Sequence, residues 1–180
     1  MELPCLLGRQ VEFHGAGGLR VEQEVRARAE EVEAVFRHIA ATRMEGVPIL
    51  NPALAVEAAA MEVWGEGVIL ALVTPWFINV MLLPGADERP HWEDMAVGQS
   101  TVHALPGGRF SFIAGREEGI GPYRMCSLFS PVLEFADHET ACATAGAALA
   151  EMLREEQEPE VQMSRRDLFR RAVREEAEPA

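Results

Sequence analysis

The residues with chemistry to offer are few and scattered. His14, His38, His91, His103 and His138 are dispersed, with no metal-ligand spacing among them. Cys5, Cys126 and Cys142 form an odd set, poor as a disulfide framework and without the CxxC pair of a zinc or iron site. Cys126 falls inside an apolar run and reads as a small core residue rather than a nucleophile. His103, in a strand near a turn, reads as a hydrogen-bonded structural histidine. The pair Glu117-Glu118 has the composition for acid/base work, but between glycines it reads as a solvated turn. Ser127 and Ser130 flank Phe129 with no Ser/His/Asp spacing to read. GxGxxG after a strand, the P-loop, HExxH and GxSxG are all missing. These residues predict no catalytic centre, no metal ligand and no cofactor.

One stretch is unusual for another reason. TPWFINVMLLPG, residues 74–85, is almost wholly apolar, yet it carries Pro75 near its start and one amide, Asn79. Proline removes a backbone donor and suits the start or edge of a strand. In a strand, Trp76 and Phe77 point to opposite faces, so at most one belongs wholly to the core. Two readings stand for residues 75–83. One face packs on the core while the other holds a partner, with Asn79 bonded to a backbone group there. Otherwise both faces are buried, one under each of two helices, with Asn79 a satisfied core amide.

The elements that must position these residues follow from periodicity. From Glu22 to Arg43, Val25, Ala29, Val32, Phe36 and Ile39 recur at alternating spacings of four and three, one face of an amphipathic helix. Gly46, Pro48 and Pro52 end it and hold the chain extended. Short apolar runs follow as strands: Val56–Trp64, Val68–Val73, Trp76–Leu83, Ser100–Leu105, Arg109–Ala114 and Tyr123–Phe129. A polar, proline-containing loop (ADERPHWEDMAVGQ) separates the third from the fourth, and residues 117–121 turn the last pair into a hairpin. Asp137 is a predicted N-cap, and Ala141, Ala145, Leu149 and Met152 form a second helical stripe whose alanines suit close packing on a sheet. Strands grouped between terminal helices predict an α+β fold: a mainly antiparallel sheet of about five to six strands with an N-terminal and a C-terminal amphipathic helix packed on it. The predicted organisation is a loosely ordered extension over residues 1–20, one domain over 21–156, and an acidic then basic-amphipathic tail over 157–180.

Composition narrows the function classes. A chain of 180 residues at 48% hydrophobic is long enough to bury a core. Asp and Glu number 29 against 16 basic residues, for a net charge of −13, which argues against non-specific nucleic-acid binding. Every one of those basic residues is an arginine. Arginine has GC-rich codons, so this reads as genomic bias and carries no function. The start MELPCLLGRQ has no basic region followed by a long apolar run, so no secretory signal is expected, and no window predicts a transmembrane helix. The cysteine usage fits a reducing cytoplasm.

Three segments then point to a family. TPWFINVMLLPG (74–85), GRFSFIAGREEGIGPYRMCSLFSPV (108–132) and SRRDLFRR (164–171), in this order behind an amphipathic helix, resemble the HybE/HupJ family of [NiFe]-hydrogenase assembly chaperones. The likeness runs from about Glu22 to Arg171, and the first two segments carry most of it. The resemblance implies a cytoplasmic accessory protein, not an enzyme. It would bind the hydrogenase small-subunit precursor with its twin-arginine signal peptide, with the large subunit as a further candidate partner, and delay export until assembly is complete. The acidic balance and the lack of a long apolar window predict no nucleic-acid partner and no stable membrane insertion. Some relatives are fused to or work beside a rubredoxin; this chain lacks the two CxxC pairs that such an iron site needs.

A signal peptide brings two arginines and an apolar stretch, so its receptor needs an acidic lip and an exposed apolar groove. Under the resemblance the candidate partner-binding residues are Pro75, Trp76, Phe77, Asn79 and Tyr123, with Glu117 and Glu118 as acids. The tail residues Ser164, Arg165, Arg166, Leu168 and Phe169 look like the core of a twin-arginine signal, but REEAEPA follows instead of an apolar region. They read either as a frayed amphipathic helix or as a mimic that occupies the groove and yields to the client. Two further classes remain beside the chaperone: a small enzyme or redox protein using Cys126, and a structural subunit that stays with the mature hydrogenase.

Overall fold

A computed structural model describes residues 16–155. Helix α1 (Ala16–Ala41) leads into the strands β1 (Glu57–Trp64), β2 (Gly67–Val73) and β3 (Ile78–Leu83). A short helix α2 (Arg89–Glu93) follows, then β4 (Ser100–Leu105), β5 (Gly108–Glu117), β6 (Gly121–Phe129) and helix α3 (His138–Met152). The six strands form one sheet in the order β1-β2-β3-β6-β5-β4, every neighbour antiparallel. The sheet is therefore two three-stranded meanders joined where β3 meets β6. The α+β architecture read from the sequence is the observed one.

Each helix buries its predicted stripe. Val25, Ala29, Val32, Phe36 and Ile39 of α1 pack on Leu70, Leu72, Met81 and Leu83. Ala141, Ala145, Leu149 and Met152 of α3 pack on the other face, against Ile69, Ala71, Val73, Ile78, Val80 and Leu82. Alternate residues of β2 and β3 thus enter two cores, which is why these strands are continuous apolar runs rather than alternating ones. Asp137 caps α3 as predicted, its carboxylate accepting from the Thr140 amide at 2.7 Å. At the other end of α3 the Gly107 amide donates to the Met152 carbonyl at 2.9 Å, in an approach so close that a Cβ at Gly107 would overlap helix backbone.

Some boundaries differ from the expected ones. Helix α1 begins at Ala16, six residues ahead of Glu22, through Gly17 and Gly18, which lower helix propensity and hide the start. The loop after β3 contains α2, a single turn opened by Pro90. The third strand starts at Ile78, not Trp76: Thr74–Phe77 is a turn. Thr74 Oγ accepts from the amides of Phe77 and Trp76 at 3.0 and 3.3 Å, and the Thr74 amide donates to the Phe77 carbonyl at 2.9 Å. A threonine bonding its own following backbone competes with strand pairing. Glu117 closes β5 opposite Gly121, so only residues 118–120 remain in the hairpin loop.

The helices leave part of the sheet open. Helix α1 rests on β1 and β2, and α3 on β1, β2 and β3. Ile113 pairs with Met125, whose side chain joins the α1-side core, so alternation and register put Ser100, Val102, Ala104, Arg109, Ser111 and Ile113 on that same side. All six are exposed, Val102 at 57% and Ile113 at 42%. On the reverse side Leu105, Phe112 and Ala114 are buried.

Candidate functional site

The Thr74–Phe77 turn delivers two aromatic rings to the α1 side of the sheet. Trp76 is buried and meets Phe77 edge-to-face at 5.5 Å. Phe77 is half-buried and touches Phe36 of α1 at 5.7 Å, and Phe36 in turn meets Tyr123 of β6 at 6.4 Å. The four rings form a continuous arc, each contact in the edge-to-face geometry that aromatic quadrupoles favour. Pro75 is half-buried, and its carbonyl accepts from the Asn51 amide at 2.8 Å. The Asn51 side chain donates to the carbonyls of Val132 and Phe135 at 3.0 and 2.8 Å, so one buried residue, through its backbone and side-chain amides, ties the turn to the segment after β6.

Tyr123 closes the arc next to a charged pair. It lies opposite Gly115 in register, and a Cβ at Gly115 would overlap the tyrosine ring. Arg43 and Glu117 form an ion pair at 2.7 Å. Burial, with the Glu117 carboxylate adding to it, pushes the Tyr123 phenol up to about 12, so it stays a neutral hydroxyl at physiological pH. Glu118 sits exposed in the hairpin loop just beyond.

Asn79 pairs across the sheet with Leu72 and Ser127, in the strand shared by both meanders. It is 3% exposed. Its amide nitrogen approaches the Met125 sulfur at 3.5 Å, and its carbonyl oxygen finds no donor among the described residues. Among the described residues neither the expected backbone partner of Asn79 nor a donor to its amide oxygen is present. The strand around it, Ile78–Leu83, is buried on both faces, one under each helix. An apolar partner-facing side therefore does not lie along 78–83; the exposed sheet surface lies further out, on β5 and β4.

The structure thus links Trp76, Phe77 and Tyr123 through Phe36, with Pro75 in the same turn, Glu117 beside Tyr123, Asn79 on the same side of the sheet and Glu118 in the hairpin loop. Phe36, Arg43 and Met125 belong to this arrangement. Sequence reasoning assigned Phe36 to a helical core stripe, which is also true, and nothing in the spacing marked it as the hub of an aromatic arc. Ser164, Arg165, Arg166, Leu168 and Phe169 lie outside the described residues.

Two other groupings lie on the α3 side. Arg124 stacks over Trp92 of α2 at 4.1 Å and reaches His103 Nε2 at 2.6 Å. Burial and the Arg124 charge hold the His103 imidazole below its usual range, so it accepts this bond as a neutral ring. Burial pushes the Cys126 thiol up, which keeps it protonated and opposes a nucleophilic role. His138 and Cys142, four residues apart on α3, meet Glu57 of β1. No described helix is long and apolar enough to cross a membrane.

Comparison with known proteins gives this geometry a context. The family model for the [NiFe]-hydrogenase assembly chaperone HybE matches residues 27–171. The hydrogenase expression/formation protein HupT of Azotobacter chroococcum is 38% identical over 146 residues, covering 80% of this chain and 95% of that protein. Protein HoxT of Cupriavidus necator is 39% identical over 132 residues, covering 68% and 73%. The solution structure of HybE from Escherichia coli superposes with a TM-score of 0.54 over 74% of this chain and 84% of the other; at 22% identity this likeness speaks for the fold. The matched span takes in the aromatic arc, the open face of β4 and β5 and the SRRDLFRR segment, and on it this chain belongs to the HybE family of [NiFe]-hydrogenase assembly chaperones.

Proposed function

We propose that this protein is a cytoplasmic, non-catalytic chaperone that binds the small-subunit precursor of a [NiFe]-hydrogenase, twin-arginine signal peptide included, and holds back export until assembly is complete. The observation that carries this reading is the open α1-side face of β4 and β5, with Val102 and Ile113 exposed, set beside the Trp76-Phe77-Phe36-Tyr123 arc. Val102 and Ile113 stand among Ser100, Ser111 and Arg109 on this face, and exposed apolar side chains rimmed by polar ones favour docking of a partner. Among the described residues β4 is also the last strand of the sheet, which suits an extended client segment adding to its edge. Phe77 and Pro75 offer the half-buried apolar contact, with the Tyr123 ring beside them. Glu117, Glu118 and a net charge of −13 favour a client that arrives with two arginines.

The SRRDLFRR segment (164–171) carries the same chemistry as a signal core, two arginines next to Leu168 and Phe169. In this account it competes with the client for the same surface, and cutting the chain before Ser164 tightens signal-peptide binding. Unchanged or weaker affinity would remove the mimic from the account without touching the client site.

Calorimetric titration with a small-subunit twin-arginine signal peptide tests the proposal. Binding is expected with the native peptide and clear weakening when both arginines become lysine, because guanidinium groups engage carboxylates through two parallel bonds and ammonium groups do not. Equal affinity for both peptides would contradict a signal-reading role.

A further inference from the structure

On the opposite side of the sheet from the aromatic arc, three side chains of different chemistry converge. Cys142 and His138 stand one helical turn apart on α3, and Glu57 opens the edge strand β1. His138 Nε2 lies 3.0 Å from a Glu57 carboxylate oxygen and 3.5 Å from Cys142 Sγ, and the three ligand atoms all fall within 4.8 Å of one another. A tetrahedral ion with bonds of about 2.3 Å to sulfur and about 2.0 Å to nitrogen holds those two atoms about 3.5 Å apart. The sulfur–nitrogen edge of such a site is therefore already formed.

We propose that Glu57, His138 and Cys142 bind one borderline divalent transition-metal ion of the zinc class. A thiolate, an imidazole and a carboxylate together suit Zn²⁺ and its neighbours, whereas Mg²⁺ and Ca²⁺ take oxygen ligands. Three protein ligands leave a fourth position, and it faces water: the His138 and Glu57 side chains keep about a quarter of their surface exposed, 27% and 24%. Cys142 forms the floor of the site, 2% exposed. The site thus has a fixed, buried sulfur and an accessible mouth.

The proton inventory is defined. The Ala55 amide donates to His138 Nδ1 across 3.3 Å, so the ring proton sits on Nε2 and points at Glu57. Metal binding at Nε2 takes the other tautomer: the ring proton moves to Nδ1, the long Ala55 bond opens, and the Cys142 thiol proton leaves to solvent. Loss of the Ala55 contact opposes binding, and the charge-neutralising pair of thiolate and carboxylate favours it. Sequence spacing hid the site because two ligands come from one helix and the third from a strand 81 residues away.

The test uses the full chain stripped of metal and titrated with Co²⁺, which reports a bound thiolate by a near-ultraviolet charge-transfer band. One equivalent is expected to give the band, Zn²⁺ to displace it, Cys126→Ser to keep it, and Cys142→Ser and His138→Gln to lose it. No band in the full chain, or a band that survives Cys142→Ser, would overturn the site. Should Cys142→Ser fail to fold by circular dichroism, His138→Gln decides, since that side chain is part-exposed: an undiminished band in it overturns the proposal.

Discussion

Tyr123 is the residue where structure and charge can be read directly, because it is the one tyrosine in the chain. Its phenol is expected to ionise near pH 12, followed by ultraviolet absorbance, and Glu117→Gln is expected to lower that midpoint by removing a like charge from beside the phenolate. The folded value stands above the unfolded one, so the neutral phenol supports the fold fully below about pH 10, and that support fades as pH rises from there toward 12. A midpoint near 10 in the folded protein would show that the ring is not held against Phe36 as described. Asn79 gives the complementary residue-scale prediction. A buried carbonyl oxygen without a donor among the described residues weakens the fold, so Asn79→Leu is expected to raise stability by about 1 kcal/mol in urea unfolding. A loss of stability would mean that the amide is satisfied in solution.

At the scale of elements, the decisive feature is the Thr74–Phe77 turn and what fastens it. Asn51 links Pro75 to Val132 and Phe135, so Asn51→Ala is expected to cost about 1–3 kcal/mol and to release the turn from the segment after β6. Urea unfolding gives the first, and hydrogen exchange at Phe77 the second. The two helical stripes were legible in the sequence, because α1 and α3 bury one face each and a period of 3.6 follows directly. The start of β3 was not. Trp76 and Phe77 have strand-forming side chains, and only the threonine hydroxyl two residues before Trp76, bonding two amides ahead of it, turns that propensity into a turn. Glu117 and Glu118 show the same limit. As a pair they read as a solvated turn, yet Glu117 ends a strand and pairs with Arg43 of a distant segment, a contact set by topology rather than spacing.

At the scale of the whole molecule, the proposed function rests on unequal coverage of one sheet. Strands β2 and β3 are buried on both faces, while β4 and β5 keep one face open. The strand count and the antiparallel character were readable from the runs and turns. Strand order was not, and without it Val102 and Ile113 are two unremarkable residues in different strands rather than parts of one exposed face beside the aromatic arc. Membership of the HybE family places a hydrogenase assembly task on this molecule, and the open face is the surface assigned to it here. Threonine keeps the branched side chain that a strand favours while removing apolar contact, so the double variant Val102→Thr/Ile113→Thr isolates the role of that face. Its stability is expected to change by less than about 0.5 kcal/mol per site. The most direct measurement is the affinity of this variant and of the native chain for the complete small-subunit precursor, with thermal unfolding measured alongside. The account gives about tenfold weaker binding or more at unchanged stability. Native affinity in the double variant would contradict it.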